Sequence, residues 1–231
     1  MSVDAARVPA PRSSEEPPTE RTRVRRLAER GRYDREVVCR ILDEGLVAHV
    51  GFVDEKGPCV IPTAYGREGD WLYLHGAAGN AALRTLRSGG EACVTVTLLD
   101  GIVLARSAFH HSINYRSVVI FGRAEEVVET SEKLRALMTI VEHVVQGRGR
   151  DAREPTESEL RSTRVVRLPI DEASAKIRTG GSVTDPEDLE LQVWSGQIPL
   201  AVKSGTPVPD EVSSRGIPVP AYADPYTRPG W

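Results

Sequence analysis

TVTLLDGIVLARSAFHHSINYRSVVIFG, residues 95–122, is the stretch whose reading decides the fold. Alternating apolar residues predict strands over Ala92 to Leu99 and Ile102 to Arg106, with Asp100-Gly101 as the turn between them. Beyond the polar loop, Ser117 to Val128 reads as a long strand. Between these runs lie two adjacent histidines, a Tyr-Arg-Ser triplet and little formal charge. Imidazole, phenol, guanidinium and hydroxyl groups at one strand–loop–strand junction suit the wall of a site for a polar aromatic ligand.

Upstream, Val37, Val38, Ile41 and Leu42 cluster on one face of a short helix from Asp34 to Glu44, with Gly45 as its stop. Leu46 to Val53 alternates as a strand, Asp54 to Gly57 turns, and Pro58 to Gly66 returns as its hairpin partner. Pro62 in that partner lacks an N–H, which fits an edge, a bulge or a ligand contact. Trp71 to His75 predicts another strand, with Trp71, Tyr73 and His75 on one face. A small loop, Gly76 to Gly79, leads to Asn80 as cap of a helix carrying Leu83 and Leu86.

Downstream, Leu134, Leu137, Val141 and Val145 predict a helix over Ser131 to Gln146. Thr156 and Glu159 form a capping box before a short helix, and Thr163 to Ile170 and Ala173 to Arg178 predict closing strands. Strands in quick succession without βαβ alternation point to a mainly β (α+β) fold, a closed or split antiparallel barrel with peripheral helices. Prolines at 9, 11, 17 and 18 mark residues 1–22 as a disordered lead, and recurrent prolines make residues 204–231 a tail that wanders or lies over a neighbour. The folded domain spans residues 23–203. Trp194, late in a chain poor in aromatics, reads first as packing and otherwise as cover for a flat ligand or a dimer partner.

A net charge of −3 argues against a nucleic-acid binder. No apolar run approaches the roughly 20 residues that span a bilayer, and the amino terminus does not resemble a signal peptide. Three scattered cysteines fit a reducing, cytoplasmic setting and neither a disulfide framework nor a paired-CxxC zinc site. Adjacent histidines in an extended segment point to opposite faces, so His110 and His111 make a poor metal pair. There is no GxSxG elbow, Walker loop or Rossmann glycine pattern.

Three features carry candidate chemistry. His75 to Asn80 sets small residues and a helix start where an anion fits, with Arg84 and Arg87 following. The interrupted strand Val60-Ile61-Pro62-Thr63 offers backbone groups to the edge of a planar ring. The junction holds Ser107, His110, His111, Tyr115, Arg116 and Ser117.

The segments VIPTAYGREGDWLYLHGAAGNAALRTL, ACVTVTLLDGIVLARSAFHHSINYRSVVIFG and WSGQIPL resemble the flavin-nucleotide-binding branch of the pyridoxamine-phosphate-oxidase-like family, over about Arg23 to Val202. That resemblance implies a split β-barrel homodimer with FMN held between two subunits. By position, Val60, Ile61, Pro62 and Thr63 would line the isoalloxazine, and His75 and Gly76 would face ribityl and phosphate. Asn80 stands where the family usually has serine, and Ser117 where the oxidases have a flavin-contacting glutamine. Ala81 and Ala82 replace the usual basic residues, so Arg84, Arg87 or Arg116 must meet the phosphate. No Arg-x-His segment near the carboxyl end matches that of true vitamin B6 oxidases. Nitroimidazole-resistance reductases are similar in having a histidine at the position of His75.

The expected activity is that of an FMN-dependent oxidoreductase acting on a small organic acceptor, with His75, His111 and Tyr115 as donors beside the flavin. Two alternatives stay open. One is a module that binds or senses flavin, deazaflavin or haem without turnover, the haem suggested by His110-His111. The other is a structural dimer with a degenerate site, suggested by Ala81 and Ala82.

Overall fold

The computed structural model describes residues 16–228, so most of the lead expected to be disordered and the last three residues of the tail lie outside it. In chain order the elements are β1 (Gly31–Arg32), α1 (Arg35–Glu44), β2 (Val47–Asp54), β3 (Gly57–Ala64), β4 (Gly66–Glu68), β5 (Trp71–Ala77), α2 (Ala81–Arg87), β6 (Glu91–Leu104), β7 (Ser112–Arg123), β8 (Glu125–Glu126), α3 (Thr130–Val144), α4 (Glu157–Ser162), β9 (Thr163–Pro169), β10 (Glu172–Arg178) and β11 (Gly196–Pro199). Every strand pairing is antiparallel. The large sheet runs β1-β10-β7-β6-β2-β3, with β11 also on β6, and the small sheet runs β4-β5-β9-β8. This is the mainly β split barrel that the succession of strands predicts. Among the described residues no helix is long and apolar enough to cross a membrane.

Alternation in β2 sets the core side of the large sheet. Ala48, Val50 and Phe52 are buried, while Val47, His49 and Val53 face out. Val50 and Phe52, so buried, each contribute about 1.5–3 kcal/mol. Val38, Ile41 and Leu42 of α1 join the same core, with Leu72 and Leu74 of β5 and Leu83 and Leu86 of α2. Tyr73, Val127, Ala136, Ile140 and Val165 form a second cluster between α3 and the small sheet. Tyr73 is thus as buried as its neighbours Leu72 and Leu74, because α3 covers the face of β5 that alternation alone leaves open.

Gly45 ends α1 where nothing larger fits: a Cβ there would lie 2.4 Å from Val96 Cγ1 and 2.8 Å from the Tyr65 hydroxyl. That hydroxyl donates to the Leu42 carbonyl at 2.5 Å, satisfying one of the open acceptors at the helix end.

Two expectations change. Asp100-Gly101 is not a hairpin turn; β6 runs through it as one strand of 14 residues, with a bulge opposite β7 between Leu99 and Gly101. Pairing with β7 on one side and β11 on the other overrides the local turn preference. The polar junction is also shorter than its composition suggests. Strand β7 begins at Ser112, leaving Ala105 to His111 as the connection, with a 3-10 turn at Ala108–His110.

Candidate functional site

The edge strand β3, the end of β5 and the start of α2 converge on a narrow cleft. Ile61 and Thr63 from β3, His75 from β5, and Asn80 and Leu83 at the head of α2 line it. Its free volume of about 20 Å³ has room for roughly one water. Beyond β3 the large sheet has no further strand among the described residues, so the strand's outer edge keeps unpaired backbone groups. Pro62 sits on that strand opposite His49.

His75 is the polar centre of the cleft. Burial pushes its imidazole below the ordinary histidine value of 6.5, so the ring is neutral at pH 7. Its Nδ1 is buried and has no hydrogen-bond partner. An orphaned ring nitrogen in a cleft is what a bound polar ring edge or ribityl hydroxyl would satisfy. Gly76 keeps the next position open, since a Cβ would lie 3.0 Å from Leu83 Cδ1 and 3.2 Å from Asn80 Nδ2. Asn80 caps α2, its side-chain oxygen accepting from the Leu83 amide at 3.3 Å. These observations fit a flavin's polar edge or chain.

The strand expected to line a ring divides between two surfaces. Ile61 and Thr63 face the cleft, whereas Val60 and Pro62 are exposed on the outer face of the large sheet. Tyr115 and Ser117 lie on β7, half-buried, with β6 and β2 between them and β3. Three strand spacings put them about 14 Å from β3. His111 lies in the loop before β7. The three expected proton donors are therefore not gathered around one point of this chain.

Arg116 is taken out of the phosphate role. Its Nε donates to both Asp100 carboxylate oxygens at 3.0 and 3.2 Å, its Nη2 reaches Glu44 at 2.8 Å, and Nη1 binds the other Glu44 oxygen. Those two carboxylates hold its pKa well above the usual arginine value. Arg87 points to Glu126. Arg84, on α2, is exposed and makes no ion pair among the described residues.

The histidine pair also divides. His110 Nε2 lies 2.9 Å from Asp185, whereas His111 is exposed with Nδ1 3.1 Å from the Ser107 carbonyl. Donation from Nδ1–H makes that contact favourable. Phe109, 88% exposed, stands beside the pair.

Several connections were not readable from sequence spacing. Asn114 donates to the Gln197 side chain at 2.8 Å and accepts from Arg178, tying β7, β10 and β11 together. Arg228, expected in a loose tail, is buried against the ends of α1 and α3. It borders a cavity of about 520 Å³, lined also by Arg67, Arg135, Glu142 and His143.

Comparison with known proteins agrees with the fold. The sequence profile of the pyridoxamine 5'-phosphate oxidase family matches residues 34–177. The flavocytochrome Anf3 from Azotobacter vinelandii is 38% identical, with 89% of this chain and 96% of that chain covered and a TM-score of 0.84. The FAD and heme binding protein from Mycobacterium smegmatis is 33% identical, with 86% and 98% covered and a TM-score of 0.82. No curated protein matches the sequence. With its fold, its strand-edge cleft and a profile match over most of its length, this chain belongs to the pyridoxamine 5'-phosphate oxidase family.

Proposed function

We propose that this chain is a flavin-binding redox protein whose cofactor lies across the β3 edge and the His75 cleft. The orphaned, neutral Nδ1 of His75 carries this reading. Ile61 and Thr63 would present their strand edge to the ring, Gly76 leaves room for the chain, and Arg84 on α2 would meet a phosphate. Bound flavin supplies hydride or single-electron exchange with a small organic acceptor. The protein's part is to orient the ring, exclude water and hold a hydrogen bond at His75.

Tyr115 and Ser117 are about 14 Å from β3 within one chain. One flavin touches both sets when the second set comes from another copy, so we read the site as shared by a homodimer. Of the two neighbours described above, the one whose flavin is named binds FAD. We therefore place FAD ahead of FMN, in keeping with the FAD bound by the Mycobacterium smegmatis neighbour.

A specific observation supports a second cofactor. His111 is exposed and its Nδ1 lies 3.1 Å from the Ser107 carbonyl, a contact that would orient the ring and leave Nε2 to hold a haem iron. Of the neighbours described above, one is a flavocytochrome and the other an FAD and heme binding protein. Here His111 would hold the iron and Phe109 would cover the macrocycle.

The test is reduction under anaerobic conditions followed by addition of a quinone or nitroaromatic. Reoxidation of protein-bound flavin supports the redox reading; a bound flavin that no acceptor reoxidises reduces the protein to a binding module. A Soret band lost in His111→Ala but kept in His110→Ala would assign the haem ligand, and its persistence in His111→Ala would remove that assignment.

A further inference from the structure

The segment after β10 is built inside out. Its polar side chains face its own body: His110 binds Asp185 at 2.9 Å, Arg106 donates to the Ser195 hydroxyl at 2.6 Å, and Asn114 donates to Gln197 at 2.8 Å. Its apolar side chains face away. Leu189, Leu191, Val193 and Ile198 are exposed, and Trp194, expected to be packing, is 65% exposed with its ring over Gly196. From Leu189 to Val202 the only formal charge is Glu190. An apolar strip of this length in water marks a surface made for a partner.

The segment is nonetheless fixed at both ends. Strand β11 pairs with β6, and the Leu200 amide donates to the Asp100 carbonyl at 3.1 Å. At the far end Arg228 donates to the Asp43 carbonyl at 2.7 Å, to Glu44 at 3.1 Å and to Val144 at 3.3 Å, gripping the carboxyl ends of α1 and α3 together. The Ser204 hydroxyl donates to the Tyr226 carbonyl at 2.9 Å, closing the intervening loop. A strap pinned this way has lost its freedom before any partner arrives, which lowers the entropy cost of association.

A matching surface exists on the same chain. The outer face of β2 and β3 presents Val47, His49, Gly51, Val53, Pro58, Val60 and Pro62, none of them a carboxylate, lysine or arginine. Val53 and Val60 are 68% and 67% exposed. The strip joins the sheet through β11, which pairs with β6 at Gly101–Leu104, beyond the Cys93–Thr95 stretch where β2 pairs, so the strip and the β2–β3 face are separate places on the sheet. Two complementary uncharged surfaces at separate places on one chain are what a twofold, reciprocal contact between copies requires. The strap also lies beyond residue 177, where the family profile stops, yet the two neighbours described above match more of the chain than precedes it.

We propose that residues 179–228 form an arm that clasps a second copy of this chain, laying the strip from Leu189 to Val202 on the outer face of that copy's β2 and β3. This rests on the two-copy reading of the flavin site. It adds which surface holds the copies together.

Sedimentation velocity of the full chain over a dilution series tests it, run with and without added flavin. The wild type should sediment at twice its 25.3 kDa mass. The double variant Leu191→Asp/Trp194→Asp, and separately Val53→Asp, should weaken dimerisation at least about tenfold. Circular dichroism and a thermal melt check that each variant is folded. Trypsin should cut after Lys203 slowly in the wild-type dimer and quickly in the double variant. A wild type that is monomeric at all concentrations would overturn both the arm and the two-copy site. A wild-type dimer that the folded arm and Val53 variants leave intact, or that trypsin cuts after Lys203 as fast as the variant, would overturn the arm alone.

Discussion

The carboxylate of Glu44 holds the guanidinium of Arg116 through both its oxygens, across 72 residues of sequence. Glu44 is buried at the end of α1, and Arg116 on β7 is the group that balances its charge, with Asp100 on its other side. The pair joins the helix to the large sheet.

Removing one partner should therefore cost more than a surface ion pair would. Arg116→Ala leaves a buried carboxylate unpaired and is expected to lower stability by about 3 kcal/mol, where exposed pairs give less than about 1. Glu44→Gln, which keeps an acceptor and removes the charge, should cost less. Urea unfolding of the two variants checks the order, and an Arg116→Ala loss below that of Glu44→Gln would contradict it.

His75→Phe should keep the fold and lose cofactor. The ring stays in a partly apolar cleft while the orphan nitrogen disappears, so the thermal midpoint should change little. Flavin affinity should fall about tenfold, or about 1.4 kcal/mol for one lost hydrogen bond. Fluorescence titration with FAD and FMN measures this.

Gly76→Val places atoms where Leu83 and Asn80 already stand, at 3.0 and 3.2 Å from the first carbon added. Either α2 shifts or the side chain fills the cleft, at a cost of about 1–3 kcal/mol. The expected outcome is a lower thermal midpoint together with weaker flavin binding. Unchanged binding would show that the cofactor lies elsewhere.

Stability should fall in mild acid through His143. Burial is the main cause that lowers its pKa below 6.5; the Gly45 carbonyl it donates to at 2.8 Å opposes the drop, Arg228 deepens it, and Asp43 opposes while Arg67 adds. The unfolded chain thus takes up a proton near pH 6.5 while the folded chain resists. Stability from this group is complete above that pH, is lost as pH falls toward the folded value, and is constant below it. Burial shifts His75 the same way. The thermal midpoint of the wild type should drop more between pH 7 and pH 5 than that of His143→Gln, and equal drops would contradict the assignment.

What could be read from the sequence was whatever local pattern determines. Alternation placed Ala48, Val50 and Phe52 inward, and the Thr156–Glu159 capping box forms as its spacing implies. Asp100-Gly101 misled because a strong local turn signal meets two long-range pairings, to β7 and β11, that no window of sequence contains. The His75–Asn80 cleft was legible since strand end, glycine and helix cap are contiguous. The partner of Arg116 was not, because Glu44 reads as the end of an amphipathic helix. Arg228 was hidden for a similar reason: prolines around it suggest a loose tail, and the carbonyls it binds belong to helices 84 or more residues away.

The most direct measurement is the visible spectrum of the protein as purified, followed by denaturation and mass identification of what is released. Flavin bands with stoichiometric release of FAD or FMN, lost in Gly76→Val, are the expected result. A colourless protein that binds neither nucleotide well above micromolar concentration would contradict the flavin site at His75.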